Sequence, residues 1–117
     1  MTALAVLLGG AIGSTLRYLT DLSVQSRHSS RMPWGTFTVN VVGSFILGVI
    51  AATCASSSTA YALWGTGFCG GLTTFSTFSF ETVRLAEGGA VRTAVLNVGL
   101  SLLAGFAAVC LGWWVAQ

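Results

Sequence analysis

Four apolar stretches, each about as long as a bilayer is thick, alternate along this chain with short polar connections. No Asp, Glu, Lys, Arg or His occurs between residues 32 and 80 or between 93 and 117. A membrane-crossing helix needs about 20 mostly apolar residues. The first uncharged interval therefore holds two crossings and the second holds one, and residues 2 to about 19 supply a fourth. The pattern predicts helix one from residue 2 into the low twenties, then a polar connection over 25–31. Helix two opens at Pro33, a residue at home in a first turn, and ends near Ala55. After a serine-rich turn at 56–59, helix three runs from about 60 to 85. A turn at Glu87-Gly88-Gly89 leads into helix four, from about 91 to 116. The expected fold class is all-α integral membrane, one four-helix transmembrane domain over 1–117.

Composition points the same way: 54% of the 117 residues are hydrophobic and 7% charged, with mean hydropathy +0.82. A soluble domain carries about a quarter of its residues charged, so a water-facing surface cannot be assembled here. Helix one lacks the basic n-region of a secretory signal and is expected to be retained. Paired tryptophans, Trp113 and Trp114, close helix four as an interfacial belt would. Small residues recur at four-residue spacing in Gly9/Gly13, Ser44/Gly48, Gly67/Gly71 and Ser101/Gly105, the signature of close helix contact in lipid. Lysine is absent, and the net charge of +2 is scattered, which excludes a nucleic-acid partner because that needs a contiguous basic face. Cys54, Cys69 and Cys110 have no C-x-x-C spacing, and the single His28 sits in a polar connection, so neither metal nor redox chemistry is expected from them.

Polar groups inside a crossing are costly unless satisfied, and three clusters need a reason. Thr36, Asn40, Gly43 and Ser44 share one face of helix two, and Asn97, Ser101 and Gly105 share one face of helix four. Each asparagine taken singly suits an interhelical hydrogen bond. The densest cluster runs from Gly70-Gly71-Leu72-Thr73-Thr74 through Phe75-Ser76-Thr77-Phe78-Ser79-Phe80 to Glu81. Two glycines followed by two β-branched threonines are poor helix formers, so helix three is expected to break there, and freed carbonyls at such a break can bind a cation. Beyond it Phe75 and Phe78 share a face, with Ser76 and Ser79 beside them. Ring edges carry partial positive charge, and together with hydroxyls and the Asn40 amide they offer neutral coordination to a small anion. Sites of that kind let an ion enter and leave, as conduction requires.

Gly65-Thr66-Gly67-Phe68-Cys69-Gly70 matches the dinucleotide fingerprint, but it lies in an uncharged apolar run with no βαβ context. No nucleophile, base and orienting group assemble for an enzyme. A proton-coupled multidrug antiporter of the small four-helix kind would need a carboxylate inside the membrane, and helix one has none before Asp21.

Four segments together resemble the CrcB/Fluc family of fluoride channels over nearly the whole chain. They are Gly9-Gly10-Ala11-Ile12-Gly13 with Arg17-Tyr18, Gly35-Thr36 with Asn40 and Gly43, the run from Gly70 to Ser79 with Glu81, and Asn97 with Ser101. The resemblance implies a passive fluoride-selective channel in the bacterial inner membrane that exports the ion and relieves its toxicity. It further implies an antiparallel dual-topology dimer with two pores. In that family a structural sodium ion sits at the dimer centre on backbone carbonyls, which would correspond to Gly70 and Thr73. The pore would take Asn40, Phe75 and Phe78, with Ser76, Ser79 and Ser101 as a polar track and Arg17 at the entrance. A salt bridge between Arg17 and Asp21 accounts for Arg17 equally well. Arg27, Arg31, Arg84 and Arg92 all fall in the first and third connections, a bias that normally fixes one orientation. The partner is therefore either a second copy, which is the preferred reading, or an oppositely oriented homologue.

Overall fold

The computed structural model describes residues 2–26, 32–54 and 58–117. Among them every regular element is helical. Helix α1 spans Thr2–Gln25 and α2 spans Trp34–Thr53. Helix α3 joins a π-wound stretch, Tyr61–Cys69, to one further turn, Gly70–Leu72. Helix α4 is Phe75–Glu87 and α5 is Val91–Ala116. At 1.5 Å per residue the 26 residues of α5 extend about 39 Å, more than a hydrocarbon core. Three helices are individually long and apolar enough to cross a membrane: α1, α2 and α5. The expected third crossing is present as two shorter helices in sequence, α3 and α4.

Local chemistry sets the ends. Pro33 stands just outside α2, one residue earlier than the sequence suggested, and its carbonyl accepts from Phe37 N at 3.1 Å. The Ser58 hydroxyl accepts the Tyr61 N–H at 3.1 Å where the third helix begins. At the end of α4 the Ala90 N–H reaches back to Leu85 O at 2.9 Å and the Gly89 N–H to Ala86 O at 3.2 Å. These two bonds form a Schellman turn, and Gly89 supplies its left-handed residue at φ 88°. The polar segment 27–31, His28 included, and the serines at 56 and 57 lie outside the described residues.

Two helix pairs make the bundle: α1 against α3, and α2 against α5. Both seams are backbone on backbone. A Cβ on Gly9 would sit 2.8 Å from Phe68 N, and one on Gly13 2.8 Å from Leu72 N, while from the other side a Cβ on Gly67 would meet Val6 O at 2.8 Å. In the second seam Gly48 faces Trp113 N and Gly112 faces Val49 N, each at 3.1 Å. The core is accordingly small-residue: Ala5, Ala62, Cys69, Ala94 and Ala108 are buried beside Val39 and Leu72. Large apolar side chains such as Leu7, Leu103 and Phe106 point outward, the arrangement expected where lipid rather than water surrounds the helices.

Candidate functional site

The third crossing does break within the expected run of two glycines and two threonines, and it does so at the threonines. Gly70–Leu72 stays helical, and the chain is extended at Thr73 (φ −80°, ψ 159°) and Thr74 (φ −151°, ψ 120°) before α4 begins. Gly71 serves the seam instead, since a Cβ there would come within 3.0 Å of Gly10 Cα. Asn40 on α2 holds the break by both functions of its amide. Its Nδ2 donates to Thr74 O at 3.2 Å, and its Oδ1 accepts from Thr74 N at 2.8 Å. Thr74 then caps α4, its Oγ1 accepting the Thr77 N–H at 3.2 Å.

These bonds decide which carbonyls are released. In an unbroken helix the Thr74 N–H would bond Gly70 O and the Thr77 N–H would bond Thr73 O. Here the first donor goes to Asn40 and the second to the Thr74 hydroxyl. The residues expected to offer carbonyls to a cation, Gly70 and Thr73, are thus among those that lose their helical donors at the break. Thr73 packs its methyl against Gly43, which lets α2 approach, and its hydroxyl donates to Cys69 O at 2.9 Å.

A cleft of about 490 Å³ opens beside the break, lined by Asn40, Ser44, Thr66, Gly70, Thr73 and Phe75 among others. Phe75 stands at the edge of this cleft, 78% exposed. Its ring lies 5.9 Å from that of Phe78, tilted by 45°. Ser76 follows, its hydroxyl 3.4 Å from Thr74 Oγ1, and Ser79 is half-buried one turn on.

Ser101 belongs to a different group. Its hydroxyl donates to Asn97 Oδ1 at 3.4 Å, Asn97 Nδ2 donates to Thr82 Oγ1 at 2.8 Å, and Thr82 donates to Phe78 O at 2.8 Å. Asn97, 1% exposed, therefore ties α5 to the turn of α4 that carries Phe78. Interhelical hydrogen bonds in membranes average about 0.6 kcal/mol. Asn97→Leu, which keeps the volume and loses the bond, should cost about 1 kcal/mol or less in a denaturant titration in detergent; a much larger loss would mean the chain of bonds acts as a unit.

Arg17 lines a second, smaller cleft of about 140 Å³ with Asp21, Thr36, Thr74 and Thr77. Thr74 borders both clefts. Asp21 does not serve as the salt-bridge partner weighed for Arg17: among the described residues no ion pair joins them. Instead Asp21 lies against Gly35, its Oδ1 buried without a hydrogen-bond partner, as is Glu81 Oε1. Sequence reasoning missed three elements of this region: the Asn40 clamp on Thr74, the Thr82 link to Asn97, and the π-winding of Tyr61–Cys69. A π-turn is rare and tends to occur at functional sites, but no side-chain pattern announces it.

Comparison with known proteins follows the same lines. The family model described as CrcB-like protein, Camphor Resistance (CrcB), matches residues 4–113. The chain is 50% identical to the fluoride-specific ion channel FluC 1 of Frankia casuarinae, across all of this chain and 97% of the relative. It is 47% identical to FluC 1 of Streptomyces avermitilis, again over 100% and 97%. Against FluC 2 of Rhodococcus jostii the identity is 50%, over 97% of this chain and 96% of the relative.

Proposed function

The chain belongs to the CrcB family of membrane proteins, and from that premise we propose that it conducts fluoride passively out of the bacterial cell across the inner membrane. The observation that carries the proposal is the broken third crossing. Its neutral donors and the Phe75 ring border a cleft that, among the described residues, no basic side chain lines. Fluoride is small and tightly hydrated, so a conductor must replace its water with compact donors without holding it. Hydroxyls of Ser76 and Ser79, the second Nδ2 hydrogen of Asn40, and the ring edges of Phe75 and Phe78 supply such contacts. A lysine or arginine at the same place would retain the ion.

In this reading α3 and α4 cross the membrane together as a fourth span, and the exposed cleft is closed by a second, oppositely oriented subunit. The released carbonyls of Gly70 and Thr73 fit a sodium ion at the junction of the two subunits, because they are hard oxygen donors without helical partners. Bound there, sodium would supply a fixed positive charge that neutralises those dipoles. The same reading makes the chain a conduit and no enzyme.

The test is efflux from liposomes loaded with fluoride or chloride, using purified chain, which can insert either way round. Fluoride should leave and chloride should stay; equal rates for both ions would end the proposal. Phe75→Ile or Phe78→Ile should slow fluoride by about tenfold or more, a loss of about 1.4 kcal/mol from the barrier-lowering contacts. Full flux in both variants would remove the ring edges from the path.

A further inference from the structure

The larger cleft is longer than the channel reading uses. From the break it continues toward the end of the bundle where α2 finishes and α3 begins, and Ser44, Thr66 and Tyr61 line it there. Ser44 lies one turn from Asn40 on α2, and Thr66 lies four residues before Gly70 on α3. Tyr61 stands further out, in the first turn of α3. Three hydroxyls thus lead from the break toward the connection of residues 54–60. Among the described residues no protein group bonds to any of the three, and polar groups at membrane depth are costly unless something satisfies them.

Hydroxyls elsewhere in the bundle are placed differently. Thr15, Thr38, Thr53 and Thr82 each return theirs to the carbonyl four residues back, at 2.7 to 2.8 Å. Thr66 does not, and the winding of its helix explains why. Tyr61–Cys69 is π-wound, and a turn that bonds across five residues carries the carbonyl four residues back out from under the hydroxyl. Thr66 is left exposed in the cleft. Packing accounts for none of the three groups. Ser44 Oγ lies 3.6 Å from a carbon placed on Gly105, where alanine would fit the seam as well. Valine and phenylalanine would likewise fill the places of Thr66 and Tyr61 with no hydroxyl to satisfy.

We propose that Ser44, Thr66 and Tyr61 form the outer half of the conduit, where fluoride exchanges the protein's donors for water between the break and the end of the bundle at which α3 begins. The proposal rests on the channel reading and deepens it by extending the binding track beyond Asn40 and Phe75. A small anion loses much of its hydration between bulk water and the break, and donors set a turn apart divide that loss into steps. From Asn40 to Ser44 the step is about 6 Å, at 1.5 Å per residue. A hydroxyl can turn its hydrogen to the ion while its oxygen accepts from water, so it passes the ion on without the fixed charge that would hold it. The π-winding acquires a purpose in this account: it frees the Thr66 hydroxyl for the ion.

The experiment is fluoride efflux from liposomes carrying Ser44→Ala, Thr66→Val or both changes together. Thr53→Val is the control, because that hydroxyl already serves Val49 O and lies outside the cleft. Each single change should slow fluoride by about tenfold, the effect of losing one hydrogen bond to a charged group at the barrier. The double variant should be slower than either, and Tyr61→Phe, nearest the water, should slow fluoride least. Thr66→Ser keeps the hydroxyl and should conduct as the wild-type chain does, as should Thr53→Val. Melting temperature and elution on size exclusion should match the wild-type protein throughout. Wild-type efflux from the double variant overturns the inference and leaves the channel standing. A Thr66→Ser protein as slow as Thr66→Val overturns it too, since the hydroxyl would then be irrelevant. So does a double variant that is slow only because it elutes as a smaller species, which would assign these hydroxyls to a contact between subunits. No fluoride release from the wild-type chain would instead defeat the channel reading, and this inference with it.

Discussion

Replacing Asn40 with alanine is expected to bring fluoride efflux down to background and to strip the Thr74 amide of its protection from hydrogen exchange. The side chain meets Thr74 with both a donor and an acceptor, at 3.2 and 2.8 Å. Thr74 is 9% exposed, too buried for water to substitute freely. Losing the pair strands a backbone N–H and a backbone C=O, at about 1–3 kcal/mol each. The cheapest relief is for Thr73 and Thr74 to open toward the cleft, where water reaches the stranded groups, which would pull Phe75 out of its place at the cleft. Asn40→Asp separates this role from a direct one. The aspartate still accepts the Thr74 N–H but opposes Thr74 O with a second oxygen, so the amide should remain partly protected while conduction fails. If Asn40→Ala conducts normally, or if Thr74 stays fully protected in it, the break is held by something other than this clamp.

The clamp also shows what a sequence can and cannot announce. The limits of α5, Val91–Ala116, and the length of α1 follow from apolar continuity, because lipid-facing helices need little else. That helix three breaks was legible from two glycines and two threonines in a span otherwise apolar. Within that run the break falls on the threonines rather than the glycines, because in this bundle Gly71 is used for contact with Gly10. What moves the break to Thr73 and Thr74 is a side chain 34 residues away, and no local preference encodes that pairing. Among the site residues, Asn40, Phe75, Gly70 and Thr73 were expected together and do line one cleft. Ser101 shared their polarity but bonds to Asn97 one turn back on its own helix, and the partner of that pair on α4, Thr82, is what helical spacing could not identify.

Gly13→Ala should damage both stability and flux, and the reason connects the seam to the site. The added carbon would meet the carbonyl of Phe68 and come within 2.8 Å of Leu72 N, both of them backbone. No side chain can swing aside to relieve it, so α1 and α3 must separate. Overpacking of this kind costs about 1–3 kcal/mol, and the loss spreads because Gly9, Gly67 and Gly71 lie along the same seam. Leu72 immediately precedes the break; pushing it away from α1 displaces Thr73 and Thr74 relative to Asn40. Gly13→Ala is therefore expected to lose both thermal stability in detergent and fluoride flux. Gly99→Ala is the matched control. Nothing lies within 4 Å of a carbon added there, and alanine is the better helix former by about 0.5–1 kcal/mol, so stability should hold or rise with flux intact. A Gly13→Ala protein as stable and as conductive as the Gly99→Ala protein would mean that α1 does not brace the broken span.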